Sequence, residues 1–92
     1  DVGVLFSTDA ALTTDGVTVL VDDRGLQPPD NVVPVVRTEA LGDPRVRASL
    51  DEVSAALTTE GLRLMNWRLA NAGTDAETEA RGWLVRRGLV DR

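Results

Sequence analysis

The chain has 92 residues, no cysteine, no histidine and a net charge of −5. This length allows one compact unit, and the missing thiols and imidazoles exclude disulfides, thiolate metal sites and the usual general base of enzymes at neutral pH. An acidic chain without a basic stripe is also a poor match for nucleic acid, whose phosphates are bound mainly by cations. We therefore expect a unit that is not an enzyme and takes no nucleic acid, metal ion or cofactor.

The first part of the chain is predicted to be β-structure. Short apolar runs at residues 2–6, 17–21 and 31–37 are separated by polar segments with turn chemistry, "TTDG" and "DDRG". Pro34 has no amide hydrogen, so the third run is expected at a sheet edge or in irregular form. Because the chain opens on an apolar run directly after Asp1, we also expect further sequence before it.

Three helices are predicted after this β-rich part. The first has Asp43 as its N-cap and Pro44 at its first helical position, and the second is capped by Thr58 or Thr59 and ends in the "NAG" at residues 71–73. Apolar residues recur at helical spacing in both: Val46, Leu50, Val53 and Leu57 in the first, and Leu62, Met65 and Leu69 in the second.

The third helix has two competing caps. Thr74 with Glu77 fits a capping box, while Asp75 is an alternative N-cap. Gly88 stands where a helix stop is expected. Its inner face is predicted to contain Ala80, Trp83, Leu84 and the stem of Arg87.

The stretch "QPPDNVVPVV" at residues 27–36 places a stiff polar corner against an apolar run. Asp30 and Asn31 either cap an ordinary turn or form the rim of a binding site, and residue preferences alone favour the turn. The pair Asp22 and Asp23 is expected to be a solvated turn, because no further oxygen ligands follow at calcium-loop spacing.

Two other groups of residues suggest function less strongly. Trp67 and Trp83 could stack on a ligand, but their positions beside helical core stripes favour packing. Ser7 and Thr8 precede Asp9, yet the chain has no His or Lys that could activate a hydroxyl, so no catalytic residue is predicted.

Four segments in order resemble one known family. They are "LFSTDAAL", "VTVLVDDRGLQPPDNVVPVVR", "DPRVRASLDEVSAALTTEGLRLMNWRL" and "AGTDAETEARGWL". Within them, the most telling patterns are the corner at residues 7–9, "L-x-DD-x-G-L-x-PP-x-N-V-x-PVVR" and "L-T-T-E-x-L-x-x-x-N". Together the segments resemble the C-terminal part of the substrate-binding proteins of ABC transporters for glycine betaine, carnitine, choline and related osmoprotectants.

The resemblance implies an α/β fold, namely the C-terminal portion of a type II periplasmic-binding-protein-like fold, with short strands followed by three helices. Residues 1–92 would form a single unit, in which residues 1–20 end the second lobe and make the return crossover and residues 21–92 belong to the first lobe. The implied function is extracytoplasmic capture of a quaternary ammonium or related compatible solute, which an ABC permease then imports. The complete protein would be anchored to the membrane.

The resemblance also implies a ligand site with an aromatic cage around the quaternary ammonium. Phe6 and Asp30 stand where the family usually has tyrosines, and Ser7, Thr8 and Asn31 are the neighbouring ligand-binding candidates. Phe6 keeps a ring face, although a core position at a strand end is an equal alternative. Asp30 would attract a cation and repel a ligand carboxylate, so we expect a zwitterion such as glycine betaine to bind less tightly than a carboxylate-free cation or a neutral polyol-like ligand.

A second function class stays open at this point. The departures at both cage positions also fit a non-binding α/β interaction domain, or a decayed site, whose helices pack with a partner chain. Unpaired edges at residues 2–6 and 32–37 predict either a homo-oligomer formed by exchanged elements or an exposed apolar surface.

Overall fold

A computed structural model describes residues 1–91. Two short 3₁₀ helices, the first at Ala10–Thr13 and the second at Thr38–Gly42, precede three α-helices. The α-helices are α1 (Pro44–Ala56), α2 (Thr59–Asn71) and α3 (Ala76–Arg86). The chain divides into two units, of which the first comprises Asp1–Thr18 and Leu57–Arg92 and the second Val19–Ala56.

The predicted α/β fold class is wrong, because no strand is present in residues 1–91. An extended segment becomes a strand only when a neighbouring segment supplies the complementary N–H and C=O groups. The apolar runs at residues 2–6, 17–21 and 31–37 find no such neighbour among the described residues. Their side chains are accordingly open to solvent, with Val4 90%, Val21 87% and Val35 94% exposed. Only the three helices of the predicted architecture are present.

α1 begins at Pro44, as predicted. The Asp43 carboxylate accepts a hydrogen bond from the Arg45 backbone N–H at 2.9 Å and forms an ion pair with the Arg45 guanidinium at 2.8 Å. The Arg45 side chain, and then its backbone N–H, lower the pKa of Asp43 below its usual value. α1 contacts the second 3₁₀ helix, and three residues of its predicted face are half-buried: Val46, Leu50 and Val53.

α2 is capped by Thr58 rather than Thr59. The Thr58 hydroxyl oxygen accepts a hydrogen bond from the Gly61 backbone N–H at 3.0 Å. A Cβ at position 61 would lie only 3.0 Å from that same oxygen, so the glycine that weakens the first helical turn also leaves room for its cap. α2 ends at Asn71, and Gly73 follows with φ +65, which confirms the predicted stop at residues 71–73.

α3 is capped by Asp75, one of the two predicted alternatives. Its carboxylate accepts hydrogen bonds from the Thr78 backbone N–H at 2.8 Å and the Thr78 hydroxyl at 3.1 Å. These two bonds, the backbone one first, lower the pKa of Asp75.

α3 closes with a Schellman motif around Gly88, which has φ +69. The Leu89 N–H donates to the Leu84 carbonyl at 2.9 Å, and the Gly88 N–H donates to the Val85 carbonyl at 3.0 Å. The predicted stop at Gly88 is therefore confirmed.

The buried part of the first unit lies where α2 and α3 meet. Trp83 is 8% exposed, and the Arg87 guanidinium lies 5.8 Å from its ring centroid, within cation–π range. Glu79, 9% exposed, accepts hydrogen bonds through Oε1 from Arg68 at 2.9 Å and Arg86 at 3.2 Å. Trp83 thus packs, as predicted, whereas Ala80 on the predicted inner face is exposed. The buried position one turn before Trp83 belongs instead to Glu79, whose charge is compensated by the two arginines.

Replacing Gly88 by alanine should lower the free energy of unfolding by about 1 kcal/mol, because an L-residue is strained at positive φ. Chemical denaturation followed by circular dichroism measures the change. Gly42→Ala is the matched control, since Gly42 has no positive φ and a Cβ there meets nothing within 4 Å. Equal stabilities of the two variants would contradict the role assigned to Gly88.

The Asp75 cap should make α3 sensitive to acid. A carboxylate whose pKa is lowered by folding stabilises the folded state above its unfolded pKa of about 3.9, and that stabilisation is lost as the pH falls through the lower folded pKa. The wild type should therefore have a higher Tm than Asp75→Ala at pH 7, and this difference in Tm should disappear in strong acid. Asp75→Asn keeps an accepting oxygen that cannot titrate, so its Tm advantage over Asp75→Ala should persist. A wild-type advantage that does not change with pH would refute this account.

Candidate functional site

Residues 6–9 form a tight turn directly after the first apolar run. The Asp9 backbone N–H donates to the Phe6 carbonyl at 2.9 Å, and the Asp9 carboxylate accepts from the Ala11 N–H at 2.9 Å, which starts the first 3₁₀ helix. The Phe6 side chain is 77% exposed. Phe6 is therefore not a core residue among the described contacts, and its ring is available to bind another molecule. We refer to residues 6–9 as the Phe6 corner.

α2 holds the Phe6 corner through two side-chain hydrogen bonds. Arg63 Nε donates to the Ser7 carbonyl at 2.6 Å, and Asn66 Nδ2 donates to the Thr8 carbonyl at 2.7 Å. They join residues 56 and 58 positions apart, whereas the other side-chain hydrogen bonds in residues 1–91 span at most 11 positions. The Phe6 corner is thus fixed to a distant helix.

The sequence patterns predicted no site role for Arg63 or Asn66. One signal was present, because Asn66 lies one helical turn after Leu62, among the apolar residues of α2. Asparagine is a weak helix former, since its side chain competes for backbone hydrogen bonds. An asparagine within an apolar stripe is therefore a candidate for a specific hydrogen bond to another segment.

The remaining polar groups of the Phe6 corner are unused. With both carbonyls bonded to α2, the Ser7 and Thr8 hydroxyls and backbone N–H groups make no hydrogen bond within the part of the chain that the structure describes. Ser7 is exposed and Thr8 half-buried. A hydroxyl can donate or accept, so the corner offers a ring face and several hydrogen-bonding groups to a ligand.

Asp30 and Asn31 lie in the second unit, and both are exposed. Neither side chain forms a hydrogen bond with another described residue, so the structure does not show them capping a local turn. The neighbouring apolar residues are exposed as well, with Val32 at 71% and Val33 at 66%. These two candidates and the Phe6 corner belong to different units.

The loop before Asp30 is organised by Asp22. Its carboxylate accepts hydrogen bonds from the Gln27 N–H at 2.9 Å and the Leu26 N–H at 3.0 Å, and these bonds, that of Gln27 first, lower its pKa. Gly25 has φ +61, which allows the chain to turn. The carboxylate thus serves the backbone, which confirms the interpretation of Asp22 and Asp23 as a turn. Residues 1–91 contain no cluster of three or more potential metal ligands.

An open depression of about 750 Å³ lies along α3. Its lining residues include charged groups of both signs, such as Asp75, Glu77 and Arg81, but neither an aromatic ring nor any predicted site residue. The cage that the family resemblance implies for a quaternary ammonium group is built from aromatic ring faces. The depression therefore does not replace the predicted site.

The Phe6 corner thus brings an exposed ring together with the free hydroxyls of Ser7 and Thr8. Residues 1–86 match the family described as the substrate binding domain of ABC-type glycine betaine transport system, and the chain belongs to this family. It is 32% identical over 84 residues to the glycine betaine-binding protein YehZ of Escherichia coli strain K12, an alignment that covers 90% of this chain and 28% of YehZ. No solved structure gives a significant match.

These matches confirm the family predicted from the four segments. They also confirm that the chain is not an enzyme, because the family consists of solute-binding domains. The chain spans less than a third of the length of YehZ. None of the helices in residues 1–91 combines the length and apolar character needed to cross a bilayer.

Replacing Asp22 by alanine should release the loop that leads to Asp30. Without the carboxylate, the Leu26 and Gln27 amides lose their acceptors, so their hydrogen exchange should accelerate at least about tenfold. Exchange measured by NMR at single-residue resolution tests this expectation. Asp23→Ala is the control, because Asp23 makes no hydrogen bond with another described residue, and equal exchange in the two variants would contradict the role of Asp22.

Proposed function

We propose that this chain is part of an extracytoplasmic substrate-binding protein that captures a quaternary ammonium compatible solute and delivers it to an ABC permease for import. The observation that carries the proposal is the family match over residues 1–86. The similarity to YehZ, a glycine betaine-binding protein, supports a solute of this class. Osmoprotection, anchoring to the membrane and the assignment of residues 1–20 and 21–92 to two lobes stay predictions.

Phe6 is the proposed contact for the ligand cation. An exposed aromatic face attracts an ammonium group that lacks N–H donors, and the attraction increases when water is excluded from the site. The fixed carbonyls of Ser7 and Thr8 support this role, because a ring next to an anchored turn loses less freedom on binding than one in a loose segment. The Ser7 and Thr8 hydroxyls are proposed to bind polar parts of the solute.

Asp30 and Asn31 are the other two proposed ligand contacts, as the family resemblance implies. The Asp30 side chain is exposed and has no basic partner among the described residues, so its negative charge is available to a cation. A carboxylate on the same ligand would be repelled by Asp30. The proposal therefore includes a preference for choline, which carries no carboxylate, over glycine betaine.

A second candidate function is a domain that packs with a partner chain and binds no solute. The apolar residues of the predicted strands are exposed, with Val2 at 91% and Val35 at 94%. This exposure favours a packing domain, because exposed apolar surface marks sites of contact with other proteins. A homo-oligomer formed by exchanged elements is one form of such packing. Solute titration separates the two candidates, since only the first predicts saturable binding of a small cation.

The test is calorimetric titration of the protein produced from its complete reading frame with choline, glycine betaine, carnitine and a neutral polyol. Choline should bind with a lower Kd than glycine betaine, and Asp30→Asn should narrow this difference because it removes the repulsion of the carboxylate. Phe6→Ala should weaken the binding of every cation by about 2- to 30-fold, which corresponds to a cation–π energy of roughly 0.5–2 kcal/mol.

Asp23→Asn provides the matched control for Asp30→Asn, since it removes the same charge from an exposed position in the same segment. Glycine betaine binding more tightly than choline would sink the assigned role of Asp30. Saturable binding that survives Phe6→Ala unchanged would remove Phe6 from the site. A wild-type protein that binds no member of the panel would refute the solute-binding proposal and favour the packing domain.

A further inference from the structure

We propose that Asn66 is a positioning residue for ligand binding, which acts by fixing the Thr8 carbonyl and thereby the placement of the Phe6 corner. The inference rests on the proposed function, since it concerns the same solute site. Its basis is the 2.7 Å hydrogen bond from Asn66 Nδ2 to the Thr8 carbonyl. Asn66 does not have to touch the solute for this role.

The other hydrogen bonds at the Phe6 corner are local. The bonds from Asp9 to Phe6 and from Ala11 to Asp9 determine the shape of the turn, but they involve only residues of the turn and of the first 3₁₀ helix. Before the turn, Val2 and Val4 are about nine-tenths exposed and offer no packing anchor. The first 3₁₀ helix, which follows the corner, packs against α2, and the two long-range hydrogen bonds attach the corner itself directly to α2.

Asn66 is the stronger restraint of the two. Its bond to Thr8 is partly buried, whereas the bond from Arg63 to Ser7 is exposed. Water competes less well for a buried hydrogen bond, and a buried carbonyl that loses its only donor is left unsatisfied. An asparagine amide on a helix also has fewer rotatable bonds than an arginine side chain, so it defines the position of its partner more narrowly.

Releasing the corner should reduce affinity without removing any group that touches the ligand. A loosened turn must become ordered again when the ligand binds, and the ordering of one or two side chains costs about tenfold in affinity. The effect should be similar for choline and glycine betaine, because it acts on the placement of the site rather than on its charge. Asp30→Asn, by contrast, should change the ratio of the two affinities.

The experiment compares Asn66→Asp with Asn71→Asp in the protein produced from its complete reading frame. The first substitution keeps the size of the side chain but places a carboxylate opposite the Thr8 carbonyl. Asn71 lies on the same helix, and its Nδ2 donates at 2.9 Å to the Trp67 carbonyl of that helix, so its loss leaves the Phe6 corner untouched. If Asn66→Asp does not fold, Asn66→Ala and Asn71→Ala replace the pair, because alanine is a good helix former and adds no charge.

The readout is the Kd for choline and glycine betaine, measured well below the Tm so that each variant is fully folded, together with hydrogen exchange of the Asp9 amide. We expect Asn66→Asp to raise both Kd values about tenfold and to accelerate exchange at Asp9, while Asn71→Asp leaves both unchanged. A role in overall stability alone would lower the Tm but leave the Kd of the folded protein unaltered.

An Asn66 variant that binds both solutes with wild-type affinity would overturn the inference while leaving the proposed function intact. Equal losses of affinity in the Asn66 and Asn71 variants would also overturn it, because they would indicate a general effect of altering α2. A wild-type protein that binds neither solute is a different result, which refutes the proposed function and the positioning role with it.

Discussion

The position of the predicted site in the first unit depends on the attachment of one turn to a helix more than fifty residues further along the chain. Arg63 and Asn66 donate to consecutive carbonyls at Ser7 and Thr8. Carbonyls in a turn need donors, and here the donors come from α2 instead of from a neighbouring strand. The apolar residues before the turn are exposed, so they do not anchor the turn by packing. The hydrogen bonds from α2 therefore help to hold the turn in its position.

In the same unit, a buried ion-pair group accompanies the buried tryptophan. Glu79 and Trp83, one helical turn apart, are the buried residues among those described, and Glu79 bonds to an arginine on each of α2 and α3. Taking a carboxylate out of water is unfavourable unless its charge is compensated, and the two guanidinium groups meet this requirement while they remain partly in solvent. The Arg87 guanidinium adds a cation–π contact to the ring of Trp83. The contact between α2 and α3 is thus specified by geometry and charge more than by apolar area.

Local chemistry made the helices predictable from the sequence, and non-local pairing made the strands unpredictable. Pro44, Thr58, Asp75 and Gly88 act within one or two helical turns of their own positions, so their residue types were sufficient to place helix ends. The apolar run at residues 17–21 has the composition of a strand, but a strand forms only when a second segment pairs with it in register. Of the site, the turn after Phe6 was predictable, whereas its attachment to Asn66 was not, because no local rule connects positions 8 and 66.

This difference between local and non-local information also explains why the family could be identified although the fold class was wrong. The pattern "L-T-T-E-x-L-x-x-x-N" contains two residues with defined structural roles, since Thr58 caps α2 and Asn66 holds the Thr8 carbonyl. The corner at residues 7–9 supplies the acceptor for that second role. Two segments that are recognisable separately in the sequence are thus the two sides of one contact. The residues that carry the resemblance therefore include residues with defined hydrogen bonds in this chain, and these bonds do not require the strands of the predicted sheet.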